Sequence, residues 1–168
     1  MKRIILFLGV FLVFSYCTVP KSKKSNINIQ VKIGEKLNSA KFKQEGDFYI
    51  VDIDLCNNTD SVISFWSMSC SWEENWLSNN NALNLYNQGC DNNSPIIKQI
   101  EPDKKLTFKG VVHVYEDIKD IKRSEVKLGF ILIKKNETSN GSDFRKILIS
   151  KLKERKDIIW SEPFKIDK

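Results

Sequence analysis

Tyr49-Ile50-Val51-Asp52-Ile53-Asp54-Leu55-Cys56, the turn Asn57-Asn58-Thr59-Asp60, and Val62-Ile63-Ser64-Phe65-Trp66-Ser67-Met68 decide the fold. In the first segment Tyr49, Val51, Ile53 and Leu55 alternate with Ile50, Asp52, Asp54 and Cys56, the period-two pattern of a half-buried strand. The Asn/Asp cluster is a turn, because such side chains bond their own backbone and tolerate tight conformations. The third segment is apolar on both faces, which predicts a central strand.

The same period extends outward. Ile27, Ile29, Val31 and Ile33 form an upstream strand. Downstream, Ser71 is placed to cap a helical turn carrying Glu73 and Glu74, with Trp72 and Trp76 on one side. Residues 82–86 and 96–100 are short extended pieces, and Glu101-Pro102-Asp103-Lys104 turns the chain. Leu106, Phe108, Gly110, Val112 and Val114 share a face, as do Val126, Leu128, Phe130 and Leu132. Residues 136–143 read as a flexible connection. Phe144 to Lys156 fits a helix through Phe144, Leu148 and Leu152, and a strand through Ile147 and Ile149; helix is preferred. Ile158–Trp160 with Pro163 and Phe164 is a terminal edge strand, since proline cannot donate to a ladder. Seven to eight short strands separated by polar turns predict an all-β, antiparallel β-sandwich over residues 27–168, with at most one short helix.

The run from Tyr49 through Phe108 resembles an immunoglobulin-like sandwich in its strand, Asn-Asn-Thr-Asp turn, Trp-bearing strand and Pro-Asp-Lys-Lys turn. That resemblance implies that Trp66 packs between the sheets. Lys2 and Arg3 precede an apolar run from Ile4 to Phe14, too short to span a bilayer, which ends at Ser15-Tyr16-Cys17. This is an export signal, and Phe14-Ser15-Tyr16-Cys17 resembles a bacterial lipobox. The resemblance implies a signal peptide over 1–16, acylation of Cys17, and a polar spacer over 17–26. The alternative is a secretory peptide cut elsewhere. Phe65 to Trp72 (Phe-Trp-x-Met-Ser-Cys-Ser-Trp) resembles a stretch of small Bacteroidetes lipoproteins, a likeness that brings no activity with it. Surface-export signals of such lipoproteins place acidic residues after the cysteine, which Thr18-Val19-Pro20-Lys21 lacks. The expected location is therefore the outer membrane, facing the periplasm, with the cell surface or secretion as alternatives.

The net charge is +6, of which Lys2 and Arg3 would leave with the signal. The remaining basic residues form no stripe, which argues against a nucleic-acid partner. An oxidising compartment favours a disulfide, and Cys70 and Cys90, at segment ends beside polar loops, are the expected pair. Cys56 is then left over as a small buried hydrophobe. With no C-x-x-C pair and one histidine, no zinc site is legible.

His113, the sole histidine, is expected outward and solvated beside Glu116, and no catalytic constellation surrounds it. Glu73 and Glu74 are adjacent and do not converge as a glycosidase pair must. Asp52, Asp54 and Asp60 offer a weak calcium candidate, set aside as surface carboxylates. Arg145, Lys146, Lys151, Lys153, Arg155 and Lys156 form a basic stretch, interspersed with Glu154 and Asp157, that reads as a solvated face. The concrete binding candidates are aromatic and amide groups around the Cys70–Cys90 loop: Trp72, Trp76, Tyr86 and Asn80, with Trp66 nearby. The sequence thus predicts a non-enzymatic, cofactor-free binding or adaptor module of the cell envelope, tethered to the membrane and contacting an envelope protein or glycan. The alternatives are a periplasmic inhibitor or protective partner of another protein, and a glycan-acting enzyme.

Overall fold

The computed structural model describes residues 27–87, 89–115, 126–138 and 140–166. Cys17, the signal and spacer segments and Glu116 lie outside these. In chain order the strands are β1 (Ile27–Leu37), β2 (Asp47–Asn57), β3 (Ile63–Met68), β4 (Trp76–Ser78), β5 (Leu83–Leu85), β6 (Pro95–Ile100), β7 (Lys105–Val114), β8 (Leu128–Ile131) and β9 (Ile158–Trp160), with one helix, α1 (Gly141–Glu154), before β9. The described fold is mainly β, as the sequence predicts. The strands form three sheets, ordered β1-β2-β7-β5, β3-β6 and β4-β8-β9. Every strand pair is antiparallel.

The alternation in β2 is realised, with Val51, Ile53 and Leu55 buried while Asp52 and Asp54 face out. These apolar residues join Phe65 of β3, Trp76 of β4, Ile100 of β6, Phe108 and Val112 of β7, and Leu128 and Phe130 of β8 in one cluster drawn from all three sheets. A second, smaller cluster gathers Met68, Ile131, Ile133, Phe144 and Leu148, with Trp66 packed against it.

This second cluster explains why β3 is apolar on both faces, and corrects one expectation. β3 has a neighbour on each side, its ladder partner β6 on one. On its other side it meets a short segment, where Trp66 N donates to Ile133 O at 2.8 Å and Phe65 bridges Lys134. Its two faces serve two clusters: Phe65 enters the common core, while Trp66 and Met68 point to the α1 side. Phe65, not Trp66, therefore holds the position between the sheets.

Helix α1 resolves the ambiguous segment. Asn140 caps it, its Oδ1 accepting from Ser142 N at 3.1 Å and Asp143 N at 3.3 Å. Phe144 and Leu148, four residues apart, are its buried face. The expected flexible connection before it contains a 3-10 turn at Lys135–Glu137. That turn is pinned by Lys151, whose Nζ lies 2.6 Å from Glu137 and 3.2 Å from Asp157. A second 3-10 turn, Trp72–Asn75, follows Ser71, whose side chain makes no capping bond, contrary to expectation.

Two buried asparagines tie the sheets together. Asn57 Nδ2 donates to Ser61 O at 2.8 Å and Ile100 O at 2.9 Å, and its Oδ1 accepts from Thr59. Asn75 Nδ2 donates to Trp66 O and Ile131 O, both at 3.2 Å. Ile27 pairs with Asn57, so the chain enters the described fold at the end that holds the 57–62 turn and Ile100. Cys70 and Cys90 are bonded, as expected, and lie past the other end of the β3–β6 pair.

Candidate functional site

The residues singled out in the sequence do not share one surface. Trp72 and Trp76 meet edge to face at 6.5 Å and both pack on Phe108, at 5.0 and 5.6 Å. Trp76 is 7% exposed and belongs to the core. Trp72 is half-buried over Gly110, where a Cβ would come within 2.8 Å of its ring. Glycine on the core face of β7 is therefore what lets this ring approach the backbone. Asn80 serves its own turn, its Oδ1 accepting from Ala82 N at 2.9 Å.

Tyr86 lies on the opposite face of β7. Its ring contacts Phe42, Phe48 and His113 at 5.2, 5.5 and 6.4 Å. Here the expectation for His113 is overturned: the ring is 1% exposed, stacked on Phe48 at 4.3 Å and against Tyr115 at 4.2 Å. The outward side of β7 at this point is covered by the chain between β1 and β2. His113 Nε2 donates to Glu45 O at 2.7 Å, which fixes the proton on that nitrogen. Gly46 makes the approach possible, with φ +124° and no room for a Cβ beside Val114 O. Period two places a residue on a face, but does not reveal that a distant loop has covered it.

Cys56 is also corrected. It stands half-buried on the outward face of β2, with a free thiol, rather than in the core. Burial, with the charge of Asp54, pushes its thiol above the ordinary value. Burial alone would raise Asp54 too, but bonds from Lys105 Nζ and Thr107 Oγ1, each 2.6 Å, outweigh it and hold the carboxyl below 3.8. Glu74 accepts from Arg145 at 3.0 Å, whereas Glu73 is half-buried with Oε2 unpartnered among the described residues.

Two open grooves flank the Lys134–Asn136 segment. One, of about 460 Å³, is lined by Val62, Ile63, Ser64, Lys134, Lys135 and Asn136. The other, of about 540 Å³, includes Leu132, Ile159, Glu137, Asp157 and Lys151. Glu137 and Asp157 do face one groove, but the Lys151 ammonium sits on both. Burial opposes that ammonium; the two carboxylates outweigh it and hold its pKa above the ordinary range. The triad holds loop, helix and β9 together and leaves no free carboxylate pair there. Among the described residues no three His, Cys, Asp or Glu side chains group as metal ligands, and no helix is long and apolar enough to cross a membrane.

The site that the sequence did not show is the edge of β6. β6 pairs with β3 alone, so its other edge has no ladder partner among the described residues. It carries Ile97, 38% exposed, on the side of Trp66. On the core side Lys98 extends its amine over the Phe108 ring at 5.5 Å. Burial holds that ammonium below its ordinary pKa, and no carboxylate meets it among the described residues. A charged side chain turned inward on an edge strand blocks indiscriminate pairing. The hint in the sequence was a lone lysine within Ile96-Ile97-Lys98-Gln99-Ile100.

No protein-family model matches the chain, and no curated protein matches it. Among solved structures, a FixG-related protein from Vibrio parahaemolyticus is similar over 86% of this chain and 99% of that chain, at TM-score 0.40 and 14% identity. A likeness at that level carries no argument about fold or activity.

Proposed function

We propose that this chain is a non-enzymatic binding module of the cell envelope, an immunoglobulin-like β-sandwich held by lipid on Cys17, that takes an extended segment of a partner protein along β6. The observation that carries this reading is Lys98, a half-buried ammonium that, among the described residues, meets no carboxylate and stands on an edge without a ladder partner. An added strand supplies backbone hydrogen bonds, and its side chains supply selectivity. A partner with an acidic residue opposite Lys98 neutralises a poorly solvated charge, while one without it leaves that charge buried and unpaired. Ile97 gives the incoming strand an apolar contact on the α1 side.

The envelope part of the reading rests on the signal-like N-terminus and fits the Cys70–Cys90 disulfide, which oxidising compartments favour. The test is quantitative co-purification of the chain from its native envelope, comparing the unsubstituted protein with Lys98→Glu and Lys109→Glu. Lys109 is exposed on β7 and serves as a charge control. A partner lost with Lys98→Glu and kept with Lys109→Glu supports the edge. Equal recovery with both variants refutes it. Mass spectrometry of the mature N-terminus tests acylation of Cys17 separately.

A further inference from the structure

The edge of β6 has a companion in the neighbouring half of β7. β7 pairs with β2 along its whole length, from Lys105 to Val114. On its other side β5 reaches only residues 112–114, and Tyr86 N adds one bond to Val111 O. Among the described residues, positions 105–110 of β7 therefore have a ladder partner on one side only. A tight turn, with Lys104 N donating to Glu101 O at 3.1 Å, sends the chain from β6 back along β7. Asn57, in the turn from β2 to β3, bonds Ile100 O, so β2 and β3 lie together on one side of β6 and β7. Both open edges face the other side and flank one seam. Lys98 of β6, over the Phe108 ring of β7, stands at its middle. By the same spacing Ile96 is level with Gly110 and the Trp72 ring above it, and Ile100 with Leu106. Ile96, Trp72 and Leu106 are half-buried, so the seam is an apolar strip with one ammonium in it.

We propose that this seam selects a partner segment of the pattern apolar-x-acidic-x-apolar, laid along β6 with alternate side chains turned inward over the open half of β7. The inference rests on the β6 reading above and adds the sequence selected and the second strand covered. In an added strand, residues two apart share a face. The inward residue opposite Lys98 has its Cβ roughly 5 Å from that of the lysine, so a carboxylate there meets the ammonium. The inward residues two positions before and after it fall opposite Ile96 and Ile100, beside Trp72 and Leu106. A polar group at either place is buried without a partner, whereas an apolar one covers the half-open strip. β6 begins at Pro95, which has no N–H to offer, and ends at the 101–104 turn, so its six residues set the length of the segment.

The test titrates fluorescent peptides, blocked at both ends and read by anisotropy, with the full chain in detergent micelles. Peptides centred on Ile-Thr-Asp-Thr-Ile, Ile-Thr-Asn-Thr-Ile and Ser-Thr-Asp-Thr-Ser are compared on the unsubstituted protein and on Lys98→Gln. The expected result is binding of the first peptide, about tenfold weaker binding of the other two, and no Asp-to-Asn difference in Lys98→Gln. An Asp-to-Asn difference that survives Lys98→Gln, equal binding of the Ser-flanked peptide, or binding of none of the three overturns the inference. Each of these leaves the β6 reading to its own co-purification test. N-methylation of every second amide of the first peptide, in either phase, separates the two. Undiminished binding of both N-methylated forms means that no strand is added, which refutes the β6 reading itself. Self-association of the chain that the first peptide disperses assigns the seam to a second copy and overturns the partner segment.

Discussion

Asn75 is fully buried, and its amide donates to a carbonyl of β3 and a carbonyl of β8, joining strands that share no ladder. Replacing it by alanine leaves both carbonyls unpaired away from water. Asn75→Ala is therefore expected to lower stability by about 1–3 kcal/mol, measured as a shifted urea midpoint. Glu73 presents the opposite case. Burial pushes its carboxyl above 4.5, its own backbone N–H pulls the other way, and the Glu74 charge adds to the rise. A carboxyl whose pKa is raised on folding holds its proton more tightly folded than unfolded, so its contribution is best in acid and declines as pH rises through 4.5. Glu73→Gln is expected to be more stable than the parent at neutral pH, with a flatter pH dependence above 4.5 in urea titrations. At this scale the sequence named the residue types but not their surroundings. His113, for one, was expected to be solvated.

Among the elements, strands with one wet face were the most legible. β1, β2 and β7 alternate because one face meets the core and the other, except where the chain between β1 and β2 covers Phe48 and His113, meets water, and that difference is written into the side chains. β3 and β8 lack the alternation because each packs on two clusters. Helix α1 was ambiguous because its buried face is narrow, with Phe144 and Leu148 fully enclosed and Ile149 exposed. Its start is fixed by Asn140, and Asn140→Ala is expected to cost about 1 kcal/mol in thermal or urea unfolding. Its last cap, Arg155, takes a left-handed φ of 50°, so no glycine marked the end in the sequence.

For the whole molecule, the ends of the β3–β6 pair separate two roles: one receives the chain at Ile27, and the other carries the Cys70–Cys90 bond. That bond closes a loop across a sequence separation of 20 residues, which constrains the unfolded chain by about 3 kcal/mol. Cys70→Ser with Cys90→Ser is expected to lower stability by that order, seen as a drop in Tm, while Cys56 stays a free thiol in both proteins. The β6 edge belongs to this scale as well. Within Pro95-Ile96-Ile97-Lys98-Gln99-Ile100 only Lys98 hints at an edge, because the absence of a ladder partner on one side, among the described residues, is a property of the sheet.

The amino-acid sequence by itself determined the antiparallel β character, most strand positions, the turn at Asn57–Asp60 and the cysteine pair, since each follows from periodicity or local side-chain chemistry. Only the tertiary structure decided that Phe65 rather than Trp66 lies between the sheets, that a loop covers His113, that the tryptophans and Tyr86 part to opposite faces of β7, and that Lys98 stands on an edge without a ladder partner among the described residues. The reason is physical. Burial and partnership are set by residues far apart in the chain, and a periodic pattern records which face a side chain takes without recording what arrives to meet it.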